Sequence, residues 1–314
     1  MTMLNITIVP DAPISHLEEE PEANRSVCAV VVTFHPRHED IANLGSIREQ
    51  VQRVVVVDNG SDETPLTALR ETCQKLDINL IENGANLGIA AALNTGIRWA
   101  LSEGCKWVVL FDQDSKPSGG FVEKLLSALL DHPQPQKIGI MVPSYLDSRS
   151  DAALPIHRVR AGELLVAMTS GSLMPTAVFG KEGWFDENFF IDCVDYDYCL
   201  RIRDHGWIIQ ECRDAVLMHQ RSSPKVHRLF GLKLLTTTNY SAIRRYYWAR
   251  NVLWLFRRHG KKHFLFCAHM VGAVVKDTLK ITAEKDRWGK FTSALQGYMD
   301  GVFGIMNSET CRRP

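Results

Sequence analysis

The stretch Trp107-Val108-Val109-Leu110-Phe111-Asp112-Gln113-Asp114-Ser115 runs from five consecutive apolar residues straight into two carboxylates. Such a run has the length and composition of a strand buried on both faces. Packing gives no reason for that strand to end in paired acids, because like charges beside a low-dielectric core are costly unless something positive joins them. A hard divalent cation supplies the charge, taking one or two carboxylates together with phosphate oxygens of a substrate. D-x-D alone is common in loops, so its meaning depends on its surroundings.

Working outward, runs of the same character occupy 27–34, 54–57, 78–81 and 138–142, with stretches of helical spacing between them. In 88–102, Ile89, Leu93, Ile97 and Leu101 fall four apart on one helix face, with Asn86 upstream as a candidate cap. Alternating strand and helix predict an α/β fold with a mostly parallel central sheet and ligands at the carboxyl ends of its strands. Asp112 and Asp114 then end the fourth strand, where function outweighs the plain loop.

Other strand ends carry polar groups too. Thr33-Phe34-His35-Pro36 follows the first strand, and Asp58-Asn59-Gly60-Ser61 follows the second. The latter is either a plain turn or a carboxylate placed to accept hydrogen bonds from a base or ribose. Asp192, Asp195 and Asp197 cluster before a helix expected to start near Asp195, where its dipole favours acids. One of the three serves as a cap, and a partly desolvated one can act as a general base. His219 ends the run Val216-Leu217-Met218 and is a third metal ligand, a phosphate contact or a structural histidine.

The 314 residues carry 36 basic and 36 acidic side chains, for a net charge of zero. With 45% hydrophobic residues the chain is neither disordered nor fibrous, and it is not a uniformly basic nucleic-acid binder. The balance conceals a split: 18 basic against 31 acidic residues up to residue 220, and 18 against 5 beyond it. After about residue 225 the sequence reads as aromatic and basic helix, with no strand signal. There Tyr246, Tyr247, Trp248, Trp254 and Phe256 interleave with Arg244, Arg245, Arg250, Arg257, Arg258, Lys261 and Lys262. This pattern suits an anionic membrane surface, a face packed on the acidic half, or a homo-oligomer contact. The apolar stretch 264–275 is too short to span a bilayer. Eight cysteines at irregular spacing form no C-x-x-C pair, which fits a reducing cytoplasm. The acidic first residues lack the features of a secretory signal and are expected to be a mobile tail, 1–26.

Order and spacing together resemble the inverting family 2 glycosyltransferases, which have the GT-A, Rossmann-like nucleotide-sugar fold. The resemblance covers about 27–222 and rests on Val31 to Pro36, Val57 to Ser61, Asn83 to Gly88 with Asn94 and Gly96, Asp112-Gln113-Asp114, and Val194 to Asp197. It implies a catalytic domain over 27–225 followed by a helical region, 226–314. It also implies that Thr33, His35 and Asp58 line the nucleotide pocket, with Asn86 and Gly88 near it. Asp112 and Asp114 would flank a diphosphate held with Mg²⁺ or Mn²⁺, and Asp195 would be the base. Where the family usually has Glu-Asp before the catalytic helix, this chain has Val194-Asp195, so only the Asp carries over.

Thr33 to Pro36, Leu110 to Ser115, Thr169 to Ser172 and Phe190 to Asp192 are similar to the bacterial rhamnosyltransferase branch. That implies dTDP-L-rhamnose as donor, a lipid-linked glycan as acceptor in surface-polysaccharide synthesis, and a place on the cytoplasmic side of the membrane. A UDP-sugar donor and a non-catalytic carbohydrate-binding scaffold are the rival readings. No G-x-G-x-x-G follows the first strand, where Pro36 stands, so a nicotinamide dehydrogenase is disfavoured. The Q-x-x-R-W of processive synthases is only approximated by Glu284 to Trp288.

Overall fold

A computed structural model describes residues 26–147, 158–160, 162–219, 225–229 and 232–305. The expected tail, 1–26, lies outside them except for Ser26. In chain order the elements are β1 (Val27–Thr33), α1 (His38–Ala42), α2 (Leu44–Arg48), β2 (Arg53–Asp58), α3 (Glu63–Lys75), β3 (Asn79–Glu82), α4 (Ile89–Ser102) and β4 (Trp107–Asp112). Next come β5 (Lys116–Pro117), α5 (Phe121–Leu130), β6 (Ile138–Asp147), β7 (Arg158–Arg160), β8 (Glu163–Leu164), β9 (Leu173–Pro175), α6 (Thr176–Glu182), α7 (Val194–Asp204) and β10 (Ile208–His219). The chain continues with β11 (Lys225–Leu229), β12 (Leu232–Thr237), α8 (Ala242–His259), α9 (Phe264–Leu279) and α10 (Arg287–Phe303).

The five expected strands all form, and the main sheet has ten strands in the order β3-β2-β1-β4-β9-β6-β10-β8-β7, with β5 on β10. Its long strands pair in parallel, as the strand–helix alternation requires. Short antiparallel β9 wedges between β4 and β6. Every residue of β1 is buried. Period-two alternation sends Cys28, Val30 and Val32 to one core and Val27, Ala29 and Val31 to the other, one on each side of the sheet. Helix α4 lies close on β1, since a Cβ at Gly96 would come 2.3 Å from Val30. Its face buries Leu93 and Ile97, while Leu101 is exposed.

Two expectations for the last third need correction. Residues just beyond 225 form an antiparallel hairpin, β11 with β12, not helix. The Lys, Leu and Arg content of this segment favours helix by local propensity, whereas cross-strand pairing decides strand formation. The aromatic and basic stripe of α8 is also not a free surface. Tyr246 and Tyr247 are buried, as are Arg245 and Arg250. Arg244 pairs with Asp192, Arg258 with Asp186 and Asp197, His259 with Asp197, and Lys262 with Asp204. Of the three possibilities for this segment, packing on the acidic half is the one observed for α8. No helix among the described residues is long and apolar enough to cross a membrane.

Candidate active site

The carboxyl ends of β1, β2 and β4 meet the start of α4, the loop before α7 and the start of α8 around a cleft of about 420 Å³. Thr33, Phe34, Asn59, Asn86, Gly88, Asp112 and Asp114 contribute to its walls, together with Arg37, Gln113, Phe190 and Arg244. Five of the sequence-derived site residues therefore share one cleft.

On the β1–β2 side, Asp58 is buried and faces its own turn. Its carboxylate accepts from Gly60 N (3.1 Å), Ser61 N (2.8 Å), Thr33 Oγ1 (3.1 Å) and the Ser61 hydroxyl. With its acceptor directions taken, Asp58 shapes the cleft without standing among its walls. His35 sits at the rim in a left-handed conformation (φ 47°), donating its N–H to Ser61 Oγ and accepting from Asp62 N at Nδ1. It is likewise absent from the walls.

Asn59 organises the next loop. Its side chain donates to Asn86 Oδ1 and Gly88 O and accepts from Leu87 N and Asn83 Nδ2. Asn86 in turn accepts from Gly88 N at 3.0 Å. The cap position of α4 is therefore Gly88 itself, at φ 89°, rather than Asn86. A side chain at 88 would be strained by that φ, and its Cβ would lie 2.7 Å from Phe190.

The acids of β4 are held from behind. Ser170 Oγ accepts from Asp112 N (3.2 Å) and bonds buried Ser115 Oγ (2.6 Å), while Tyr145 donates to Ser170 O (2.9 Å). The Thr169 to Ser172 string is thus a brace for Asp112 to Ser115. Gln113 turns back to accept from Phe34 N at 2.8 Å. Asp112 and Asp114 are two hard oxygen donors at one strand end, and with phosphate oxygens completing the shell they suit Mg²⁺ or Mn²⁺. No group of three or more metal-ligating side chains occurs among the described residues. His219 closes β10, and its side chain lies outside the described residues.

Asp195 lies in the first turn of α7 and accepts its neighbour's N–H, from Tyr196, at 2.9 Å. It opens on a separate cavity of about 10 Å³, room for one water, with Thr169, Ser172, Tyr198 and Cys199. Burial pushes its carboxyl up to about 7, and the negative charges of Asp192 and Asp112 push the same way. A carboxylate so poised is matched to taking a proton near neutral pH. Asp197, by contrast, is fully buried and tied to His259 and Arg258. It is the structural member of the acidic cluster.

The clamp behind Asp195 is not legible in the sequence. Phe190, Asp192 and Cys193 all take positive φ, at 61°, 63° and 63°, a costly conformation for side-chain-bearing residues. Buried Asn251 of α8 compensates, its amide lying 2.7 Å from Phe189 O, 2.7 Å from Ile191 O and 3.1 Å from Asp192 O. Arg250 donates to Asn251 Oδ1 (3.0 Å) and Asn188 O (2.6 Å). Arg244 grips Asp192 with two bonds, 3.1 and 2.8 Å. These partners lie about sixty residues downstream, so no local pattern could reveal them.

Residues 29–161 match the family described as Glycosyl transferase family 2. The chain is 29% identical over 299 residues to "dTDP-rhamnosyl transferase RfbF" of Shigella flexneri, covering 90% of this chain and 97% of that one. It is 26% identical over 234 residues to "N-acetylglucosaminyl-diphospho-decaprenol L-rhamnosyltransferase" of Mycobacterium tuberculosis, covering 62% and 75% respectively. Among solved structures, S. aureus TarS 1–349 superposes with a TM-score of 0.58 at 11% identity, over 90% of this chain and 82% of that one. Mannosyltransferase PcManGT from Pyrobaculum calidifontis, in complex with GDP-Man and Mn²⁺, gives 0.56 at 16% identity, over 89% and 87%. At such identities these two likenesses concern the fold.

Proposed function

With residues 29–161 forming a glycosyl transferase family 2 domain in a chain of GT-A fold, we propose that this glycosyltransferase moves L-rhamnose from dTDP-β-L-rhamnose to a hydroxyl of a lipid-linked glycan, with inversion. The observation that carries the donor is the likeness to a dTDP-rhamnosyl transferase along 90% of the chain, both halves included. The relative named for a diphospho-decaprenol substrate supports the acceptor class and, with it, an enzyme working beside the membrane. The catalytic unit is 27–225, to which the following helices lend Arg244 and the Asn251 clamp.

The donor lies in the cleft with its nucleotide toward Thr33 and Asn59 and its diphosphate toward Asp112 and Asp114, which together would hold Mg²⁺ or Mn²⁺. A cation held there would supply positive charge to offset that growing on the departing diphosphate. Asp195 removes the proton from the acceptor hydroxyl as that oxygen attacks the anomeric carbon opposite dTDP. The bond from the anomeric carbon to the diphosphate breaks, its electron pair leaves with dTDP, and the product is an α-rhamnoside. The raised pKa of Asp195 supports its role as base. Arg244, paired with Asp192, contributes a cation to the cleft wall.

A panel of dTDP-rhamnose and UDP-sugars, each with Mg²⁺ or Mn²⁺ and a polyprenyl-diphosphate-linked acceptor, tests the proposal. Transfer from dTDP-rhamnose with an α linkage by NMR is expected. Preference for a UDP-sugar would overturn the donor, and no turnover of any donor would favour a scaffold.

A further inference from the structure

Helix α10 packs with its small residues inward and its large ones outward. Ala294, Gly297 and Gly301 are buried against α8. A Cβ on Gly297 would come 2.2 Å from Tyr246 O, and one on Gly301 2.8 Å from Arg250 O, so the two backbones approach closely. The opposite face presents Trp288, Phe291, Leu295, Met299, Val302 and Phe303 to solvent, with Trp288 at 73% and Phe303 at 71% exposure. A helix on a water-facing surface turns such residues the other way. Single exposed apolar side chains need no explanation, but an unbroken stripe of six marks a docking surface.

Charge indicates what docks there. From Trp288 to Phe303 the exposed positions carry no charged side chain. At the helix start a cationic rim appears: Lys276, Lys285 and Arg287 are exposed and Lys280 half-exposed, none in an ion pair among the described residues. Of the acids beside them in sequence, Asp277 and Glu284 are buried and Asp286 is exposed. Leu279, at the end of α9, is 68% exposed.

We propose that this face rests on an anionic lipid surface, with α10 parallel to the bilayer, its rings at headgroup depth and the rim cations against lipid phosphates. A second copy of the chain is a poorer occupant, because it would bring the same cationic rim. Nearby acids that could meet that rim are engaged: Asp277 and Glu284 hold Arg245, and Asp300 accepts from Tyr246 Oη. The inference rests on this surface alone and is independent of the donor sugar.

Flotation of the full chain on phosphatidylcholine vesicles, with and without phosphatidylglycerol, tests it. Binding that requires phosphatidylglycerol and weakens with salt is expected. The double variant Trp288→Ser, Phe291→Ser should bind at least about tenfold more weakly. The triple variant Lys280→Glu, Lys285→Glu, Arg287→Glu should lose roughly 10²-fold, at about fivefold per cation. Both variants should keep the wild-type melting temperature and rate of donor hydrolysis in the absence of lipid. Wild-type protein that ignores anionic vesicles, or variants that float as well as wild type, would overturn the proposal. So would a solution dimer, seen by light scattering, that the double variant dissociates.

Discussion

In the proposed mechanism the chemistry turns on Asp195, whose environment makes that role measurable. Replacing it by Asn keeps the shape and removes the base, so turnover should fall by about 10² or more while calorimetry shows donor binding retained. Its carboxyl sits at about 7 in the fold against an ordinary 3.8, chiefly through burial. Between those two values an unfolded chain sheds a proton that the folded one keeps. Ionisation therefore erodes stability as pH rises from about 4 to about 7, and no further above. In metal-free buffer the melting temperature of Asp195→Asn should gain on wild type across that window and run parallel to it at higher pH. The kcat/KM profile of the wild type should show an acid limb near 7, which Asp195→Asn removes. Asp114→Ala should weaken donor binding in the presence of Mg²⁺ or Mn²⁺, with less effect in EDTA, as titration calorimetry would record. The β4 acids stand out in the sequence because charge at the end of an apolar strand is a local signal, and Asp195 because three acids cluster at an expected helix start. Asp58 could not be assigned that way: the sequence shows a carboxylate at a turn but not that Thr33, Gly60 and Ser61 consume it.

At the scale of elements, the site is the junction of α4, α7 and α8 around one strained loop. Ile89 N, at the start of α4, donates to Phe190 O at 2.7 Å, while Asn251 of α8 holds the carbonyls on either side. Phe190 also stacks on Tyr247 of α8, with ring centroids 4.7 Å apart. Asn251→Leu would remove the side-chain donor to Phe189 O, Ile191 O and Asp192 O, leaving Phe189 O only its bond from Ile191 N, at a cost of about 1–3 kcal/mol. The loop should then relax out of its positive φ angles, lowering kcat more than it raises KM for donor. Urea denaturation and steady-state kinetics on the same variant would measure both. The starts of α4 and α7 could be placed from sequence by their glycine and acidic residues. The role of α8 could not, because helical periodicity says which residues share a face and nothing about which loop that face will meet.

For the whole molecule, the zero net charge is the sum of two opposed halves that fold onto each other. Arg244, Arg258, His259, Lys262 and His263 of the basic half meet Asp186, Asp192, Asp197 and Asp204 of the acidic half. A second network closes the C-terminal helices on themselves, with buried Arg245 against Asp277 and Glu284, and Lys290 2.9 Å from Glu284. Burial pushes the Glu284 carboxyl up, but Lys290, Arg245 and the Asn239 N–H outweigh it and hold the group below the usual carboxylate range. The resulting stability is present near neutral pH and lost as pH falls through that lowered value. Arg245→Met should cost about 3–5 kcal/mol by removing the cation from Asp277 and leaving Glu284 with Lys290 alone. Hydrogen exchange should show the loss first in α8, α9 and α10.

Legible in the sequence were the α/β architecture, the strands in chain order and the acids at their ends, because strand length, helical spacing and turn chemistry are local patterns. The order of those strands in the sheet and what the acids face came from the fold. It turned Asp58 into its own turn, brought Asn251 and Arg244 to a loop some sixty and fifty residues upstream, and buried Tyr246 and Tyr247 of α8. It also exposed the apolar stripe of α10. The physical reason is one of range: periodicity and turn chemistry are local, whereas burial and charge pairing depend on which surfaces meet once the chain has folded.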